Sequence, residues 1–330
     1  MRFGLMLPSY SFRSLDYETA GRLRDIARRA EAQGYEALWV VDHLLTAPGL
    51  YGTAWLSPLE TLAFVAGATT RIKVATGILI LALRHPVFMA KEIASLQFLS
   101  GGRFELGVGA GWDAHEFEVA GVKLAERGRR TDEILDIFAK LWTGERVSHK
   151  GRHYAFDSVA IDPPLPARPK LWVAGGGRTP TSLSPDPETI APTVLERICR
   201  KADGWLSRAS GSNETVIADW RTITRRLDEI GRARDSLVFG HLNFIHVVST
   251  DDEAAAFLEQ RPVFEKVMGA HRSFEHLANS YFLGTPRHMR ERIEELAAAG
   301  LQYLVLAPVV YDIGQLGLIE SEVLQHFRTR

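Results

Sequence analysis

The sequence predicts an α/β protein with a (β/α)8 (TIM) barrel and an insertion after the seventh strand. Eight short apolar stretches alternate with helical patterns along the 330 residues. The central stretch, 72–81, is apolar on both faces, which is typical of a parallel strand covered on both sides. No linker or shift in composition divides the chain, so one domain is expected over residues 1–330. A doubly wound open sheet is the alternative, weakened because no Gly-x-Gly-x-x-Gly follows the first strand.

The first half of the chain predicts four strands and four helices. Pro8 stops the first strand, and the first helical pattern places its apolar residues on one face. The third helix begins at Pro86, since a missing N–H is tolerated in the first turn, and it ends before Gly101 and Gly102. We expect strands at 2–7, 37–41, 72–81 and 104–108, and helices at 17–33, 57–69, 86–100 and 129–141.

The second half predicts the remaining four strands. Two joints, EAQGYEALWV and AAAGLQYLVL, repeat the order helix, glycine, apolar residue, strand, which supports a regular alternation. We expect strands at 170–174, 203–206, 237–248 and 302–307, and helices at 192–202, 213–230 and 286–299. The helical stretch 251–281 has no strand after it and is expected to be the insertion. The proline-rich stretch 157–168 is expected to cross the surface.

Composition excludes several classes of partner. The net charge is −1 with acids and bases interspersed, which argues against a nucleic-acid or anionic-membrane surface. The single cysteine, Cys199, excludes an internal disulfide and favours a reducing, cytoplasmic environment. The longest apolar run, 74–83, is far shorter than the roughly 18 residues that span a bilayer. The first residues are interpreted as a strand and not as a signal peptide.

Candidate binding residues follow the strands, because chemistry in parallel α/β units gathers at the strands' carboxyl ends. Backbone N–H groups of three glycines after strand five could cradle a phosphate, and a flexible turn is an equally good interpretation. The loop after strand six adds a cation and hydroxyls, which favours the phosphate. These candidates are Gly175, Gly176 and Gly177, followed by Ser207, Arg208 and Ser210.

One histidine and one tryptophan are candidates for the barrel mouth. His43 follows strand two, where an imidazole can exchange a proton near neutral pH, although a structural histidine is the plain alternative. Asp42 is expected to point the other way. Trp112 follows a Gly-Ala-Gly corner and suits the wall of an organic ligand's pocket, or a core anchor. His115 and Glu116 form half a zinc motif without its second histidine, so no metal is predicted.

Several motifs resemble those of the luciferase-like flavin-dependent oxidoreductases. They are TGILILALRHP, LSGGRFELGVGAGW followed by Glu116, ERGRRTDE, LWVAGGG and KADGWL. The resemblance covers residues 1–206, and its most specific part is 84–112. It implies a barrel whose mouth binds reduced FMN or the deazaflavin F420. It also implies that the insertion at about 251–281 is lid-like.

The same resemblance implies roles for individual residues. The Gly77–Ile78 peptide, after Thr76, would be a non-prolyl cis bond that supports the flavin ring. Gly109, Gly111 and Trp112 would flank the ring, residues 175–177 would hold the phosphate, and His43 would be the catalytic residue. Two features depart from the family. A group of F420-dependent sugar-phosphate dehydrogenases has glutamate where this chain has Trp112, and the loop after Gly177 is longer than usual.

These features predict a reduced-FMN monooxygenase that acts on a small neutral organic substrate and oxygen. A separate flavin reductase is expected, because no second nucleotide-binding domain is visible, and the resemblance implies a possible homodimer. An F420-dependent hydride-transfer enzyme is the first alternative. A non-catalytic flavin-binding barrel and a metal-dependent hydrolase are alternatives of other classes. The loops 9–14 and 46–55, with mixed aromatic and apolar residues, are expected to set the substrate.

Overall fold

The computed structural model describes residues 1–11, 15–46, 54–177, 189–209, 211–268 and 272–328. Within them, eight parallel strands close into a barrel, which confirms the predicted fold. Strand β1 pairs with both β2 and β8, and β5 closes the other side by pairing with β4. The strands are β1 (Arg2–Met6), β2 (Ala37–Val40), β3 (Lys73–Thr76), β4 (Phe104–Gly109), β5 (Lys170–Ala174), β6 (Gly204–Ser207), β7 (Val238–Ile245) and β8 (Tyr303–Pro308).

Helices surround the barrel, and the seven predicted between strands are present with ends within two residues of those expected. Four of them begin with proline at the first turn, where its fixed φ suits a helix. The helices are α1 (Glu18–Ala32), α2 (Pro58–Ala68), α3 (Pro86–Leu99), α4 (Ala114–Val119), α5 (Arg127–Leu141), α6 (Pro192–Lys201), α7 (Asn213–Glu229), α8 (Glu253–Met268), α9 (Phe274–Ser280), α10 (Pro286–Ala298), α11 (Ile313–Leu318) and α12 (Gln325–Arg328).

Three predicted segments differ in detail. The stretch 72–81 is not one strand: β3 ends at Thr76, a cis peptide joins Gly77 to Ile78, and Leu79–Ile80 pairs again with β4. The predicted strand 237–248 ends earlier, at Ile245. The surface crossing at 157–168 begins inside a hairpin of Val147–Lys150 and Ala155–Val159. That hairpin was not predicted, because its exposed strands carry no continuous apolar pattern.

Large aromatic side chains fill the middle of the barrel. Trp39, Trp172 and Tyr303 are fully buried and contact one another, with ring centroids 5.2–5.9 Å apart. Below them, Glu105 accepts from the Trp172 indole at 2.6 Å and pairs with Lys73 at 2.9 Å. The amino-terminal end is therefore plugged, so a ligand site inside the barrel has room only at the carboxyl ends of the strands.

The predicted insertion consists of α8 and α9, which lie after β7. Buried residues of both helices form an apolar cluster with the segment that follows β8, including Phe264, Leu277 and Val309. Tyr281, just after α9, packs edge-on against Phe244 of β7, with ring centroids 5.5 Å apart. The insertion therefore covers part of the carboxyl end of the barrel. Among the described helices, none has the length and apolar character needed to cross a membrane.

Candidate active site

A cavity of about 140 Å³ opens at the carboxyl ends of the strands. Its walls are mostly apolar and aromatic, and three of the predicted site residues, His43, Gly77 and Trp112, line it together. A larger surface cavity of about 340 Å³ lies beside α2 and α3 and contains none of the predicted site residues. The mouth cavity is lined by Met6, Tyr10, Val41, His43, Trp55, Gly77, Trp112, Leu242, Phe244, Val267 and Ala307.

The floor of the mouth contains the cis peptide expected between Gly77 and Ile78. The Gly77 N–H donates to the Val40 carbonyl at 2.7 Å, which ties this bulge to β2. The side chain of Ile78 lies across Gly109, where an added Cβ would come within 2.5 Å of its Cδ1. Gly111 adopts φ +76°, a conformation that favours glycine. Gly109 and Gly111 thus make room for neighbouring side chains beneath the mouth, and Gly77 is the one of these glycines that lines the cavity.

Thr76 is placed differently from the other predicted ring contacts. Its hydroxyl is fully buried and bridges β3 to β4, donating to the Gly107 carbonyl at 2.7 Å and accepting from the Gly107 N–H at 2.9 Å. The side chain therefore holds the barrel wall together. Any contribution of Thr76 to a cofactor must come from its backbone.

His43 reaches the cavity with its ring held from behind. Its Nδ1 lies 3.1 Å from Oε1 of Glu116, a fully buried residue of α4. The same oxygen accepts from the backbone N–H groups of Leu44 at 2.6 Å and Leu45 at 3.2 Å. Burial raises the pKa of the Glu116 carboxyl, but these hydrogen bonds outweigh it and the pKa is lowered overall. Glu116 is therefore ionised at neutral pH.

Asp42 points away from the mouth, as predicted. It is 4% exposed and accepts two hydrogen bonds from the Arg84 guanidinium, at 2.5 and 2.7 Å, and one from the Ile80 N–H at 2.8 Å. Burial lowers the pKa of Arg84, but its contacts with Asp42 reverse the effect and raise it. This ion pair joins the end of β2 to the segment after the cis bond, so it fixes the backbone on both sides of the mouth.

Aromatic rings form one wall of the cavity. The His43 ring lies over Trp55 with centroids 4.5 Å apart, and Trp112 meets it edge-on at 5.8 Å. Tyr10 packs on Trp55 with centroids 4.9 Å apart, where two short strands pair. Trp112 is 49% exposed, so it is not a core anchor. Of the predicted substrate loops, residues 12–14 and 47–53 lie outside the described residues.

In the glycine loop after β5, two of the three backbone N–H groups already donate hydrogen bonds within the protein. The Gly175 N–H donates to the Leu206 carbonyl at 3.2 Å, and the Gly177 N–H donates to Asp219 of α7 at 2.5 Å. An added Cβ at Gly176 would lie 2.7 Å from the same carboxylate. Burial raises the pKa of Asp219. A phosphate at this loop would therefore compete with Asp219. Residues 178–188, which follow this loop in sequence, lie outside the described residues.

The predicted partners of that loop, Ser207 and Arg208, differ in burial. Ser207 is buried on the helix side, where its Oγ lies 2.5 Å from Nδ1 of His241. Arg208 is exposed and lowers the pKa of Asp219 through its charge. Ser210 lies outside the described residues. Of these candidates, Arg208 carries a positive charge within electrostatic reach of Asp219, and the Ser207 hydroxyl bonds His241.

Two residues of the site were missed by the sequence-based prediction. Glu116 was named as half a metal motif and as part of a family motif but was given no role in the site, and Asp219 appeared as one polar residue of a helix. The spacing of His43 and Glu116, 73 residues, and of Gly177 and Asp219, 42 residues, carries no local signal. In the described part of the chain, no group of three or more histidine, cysteine or carboxylate side chains could hold a metal ion.

The closed barrel with its cavity at the strand ends defines the class of TIM-barrel proteins that place an active site there. A family model described as luciferase-like monooxygenase matches residues 1–303, and the chain belongs to this family. It is therefore an enzyme and not the non-catalytic barrel considered above. Gly77 and Trp112, which belong to the motifs that resemble this family, line the cavity, and this agrees with the family assignment.

Relatives of the chain include two kinds of redox enzyme. The F420-dependent hydroxymycolic acid dehydrogenase of Mycobacterium tuberculosis is 29% identical over 77% of this chain. The 4-hydroxyprotoasukamycin monooxygenase of Streptomyces nodosus subsp. asukaensis is 37% identical over 37% of this chain. The matches span 64% and 32% of these relatives' own lengths. The family thus contains named dehydrogenases and monooxygenases, and both remain relevant to this chain.

A solved structure shows the same fold. The oxygenating constituent of 3,6-diketocamphane monooxygenase from Pseudomonas putida, in complex with FMN, superposes with a TM-score of 0.74. The superposition covers 98% of each chain at 20% sequence identity. At this identity the likeness establishes the barrel fold and not the reaction.

Proposed function

We propose that the chain is a flavin-dependent monooxygenase that uses reduced FMN and oxygen to oxidise a small, neutral, largely apolar molecule in the mouth cavity. The observation that carries the proposal is the cavity itself. Its wall is aromatic and aliphatic, and among its described lining residues His43 is the one imidazole. A largely apolar pocket with one imidazole suits an oxidation in which water must be excluded.

The residues at the ring end fit a flavin. Gly77 lines the cavity without a side chain, and Trp112 stands at the rim. A planar ring is proposed to lie between this floor and the aromatic wall, with Gly109 and Gly111 beneath it. Reduced FMN, when bound, supplies two electrons and reacts with oxygen. The phosphate end fits less completely, because the amide of Gly177 already binds Asp219. We propose that the phosphate binds there beside Arg208, with Asp219 displaced.

The chain's own apolar side chains keep water out of the cavity, and one of its residues exchanges a proton with the substrate. Phe244, Leu242 and Val267 close one side of the cavity with apolar side chains. Val267 belongs to α8, so the insertion contributes to the cover and is proposed to act as a lid. His43 is proposed to give or take a proton where charge develops on the substrate. A separate flavin reductase and a homodimeric assembly are proposed with this activity.

The second candidate is F420-dependent hydride transfer on the same barrel. It is favoured by the likeness to an F420-dependent dehydrogenase over 77% of the chain. In this reaction His43 would accept the hydroxyl proton of a substrate alcohol. The ring contacts would be the same in both cases, so the floor of the cavity does not distinguish them.

Cofactor titration tests the two candidates. We expect the cofactor-free protein to bind reduced FMN more tightly than F420, and to consume oxygen in step with an apolar substrate. Turnover with F420 and not with reduced FMN would support hydride transfer. Binding of neither cofactor would contradict both.

His43→Ala tests the role of the imidazole. We expect reduced-FMN affinity to change by no more than a few fold, because the flavin ring is proposed to rest on the backbone of the cavity floor. Substrate oxidation should fall about 100-fold or more, the usual loss when a general acid or base is removed. His115→Ala is the matched control, since His115 lies on the exposed side of α4. Equal losses in the two variants would contradict the assignment.

A further inference from the structure

Glu116 is held in a way that suits a role beyond folding. It is fully buried, yet it lies directly behind the imidazole that lines the mouth. We propose that Glu116 is the positioning residue for His43: it fixes the imidazole in the Nδ1–H tautomer and leaves proton exchange with the substrate to Nε2. This inference rests on the proposed function, because it concerns how the same imidazole acts.

The hydrogen bonds determine which nitrogen carries the proton. Oε1 of Glu116 faces Nδ1 of His43 at 3.1 Å and is also bonded by the N–H groups of Leu44 and Leu45. An ionised carboxylate only accepts hydrogen bonds, so Nδ1 must be the donor. In a neutral imidazole the other nitrogen is then an acceptor. The geometry therefore assigns Nε2 as the basic atom of His43.

The charge of Glu116 is not neutralised by a cation in its hydrogen-bonding set. Its described partners are two backbone amides and the imidazole, and its Oε2 is buried without a partner among the described residues. A carboxylate in this setting favours protonation of the adjacent ring. Among the described residues, the other titratable groups next to His43 in sequence or across the cavity are Asp42, which is paired with Arg84, and Tyr10.

Glu116 could instead have a purely structural role, in which the same hydrogen bonds only hold the loop. The bonds to Leu44 and Leu45 hold the loop after β2, and a neutral acceptor could hold those two amides equally well. The loop role requires only a carbonyl oxygen, whereas the positioning role requires the negative charge. Glu116→Gln separates them, because it keeps an oxygen at the same reach and removes the charge.

The test is an NMR titration of the cofactor-free protein labelled with nitrogen-15 in histidine. The His43 signals are assigned by their loss in His43→Asn. We expect the neutral ring of the wild-type protein to show the Nδ1–H tautomer. In Glu116→Gln the midpoint of the His43 titration should move to lower pH, corresponding to a loss of about tenfold or more in proton affinity.

Two results would overturn the inference. One is an Nε2–H tautomer in the wild-type protein, which needs no variant and so stands even if Glu116→Gln fails to fold. The other is an unchanged tautomer and midpoint in a folded Glu116→Gln, which would leave Glu116 as a loop anchor. Because the measurement uses neither cofactor nor substrate, failure of the proposed function leaves its outcome unaffected.

Kinetics give a second readout once a substrate is known. The acid limb of the pH profile of kcat should move to lower pH in Glu116→Gln, with KM changed by less than about threefold. A loop anchor would instead raise KM and leave the shape of the profile unchanged. That pattern would count against the positioning role.

Discussion

Removal of the Arg84 guanidinium should weaken the fold at the edge of the active site. Arg84→Met keeps the aliphatic stem and leaves Asp42, which is 4% exposed, without its two charged hydrogen bonds. The carboxylate would retain only the bond from the Ile80 N–H among its described partners. The prediction therefore concerns a buried charge that loses its partner.

The magnitude follows from the burial of the two side chains. Breaking a buried ion pair costs about 3–5 kcal/mol when the remaining charge is sealed from water. The Asp42 side chain is fully buried, but the Arg84 side chain is 25% exposed, so water can partly replace the guanidinium. We therefore expect a loss of about 2–3 kcal/mol in the free energy of unfolding. For a chain of 330 residues that corresponds to a fall of about 3–4 °C in Tm.

Urea unfolding of the cofactor-free protein measures this loss. Arg287→Met is the matched control, because its ion pair with Glu291 on α10 is exposed and screened by solvent and should contribute little to stability. Asp42→Asn combined with Arg84→Met completes a double-mutant cycle, with an expected coupling of about 1–3 kcal/mol. If Arg84→Met were no more harmful than Arg287→Met, or if the double variant were additive, the reasoning would be refuted.

Three further predictions concern the packing at Gly109, the dependence of stability on pH through Glu31, and the effect of Asp219 on phosphate binding at the glycine loop. Gly109→Ala should lower stability by about 1–3 kcal/mol and weaken flavin binding, because its Cβ would lie 2.5 Å from the neighbouring isoleucine. Burial raises the pKa of Glu31, but three backbone N–H groups lower it to about 2. The contribution of Glu31 to the free energy of unfolding should therefore be complete above pH 4.5, which is its ordinary pKa, and should shrink as the pH falls towards 2. Asp219→Asn should tighten FMN binding about fivefold relative to riboflavin, because a negative charge leaves the Gly177 amide.

Each of these predictions has a control or an opposing outcome. Gly21→Ala, in a helix with nothing within 4 Å of the new Cβ, should stabilise by about 0.5–1 kcal/mol. Glu31→Gln should differ from wild type in urea unfolding at pH 7 and less so near pH 3; a constant difference would contradict the shifted pKa. Equal tightening of FMN and riboflavin by Asp219→Asn, measured by fluorescence quenching, would place the phosphate elsewhere.

The sequence by itself determined the fold and much of the floor of the site. Apolar stretches buried on both faces require cover on both sides, and their alternation with helices leads to a closed parallel barrel. Proline and glycine marked most helix ends, so those boundaries were predicted within two residues. Residues at strand ends share one edge of the barrel, which is why His43, Gly77 and Trp112 line the same cavity as expected.

Side-chain direction in the shorter strands was decided by the tertiary structure. Ser207 was a predicted phosphate contact, but it lies on the helix side of β6 and bonds His241. The strand Gly204–Ser207 is buried throughout, so its sequence has no alternation that shows which residues face inward. Only the register between neighbouring strands fixes that choice.

Contacts between segments distant in sequence also could not be predicted from the sequence pattern. Glu116 meets His43 and Asp219 meets Gly177 because two helices dock on the barrel at particular angles. Local periodicity reports which face of a helix is apolar, but not which polar atom meets a strand end across the fold. Packing of the whole barrel thus decided which carboxylate bonds the His43 imidazole and which one occupies the glycine loop.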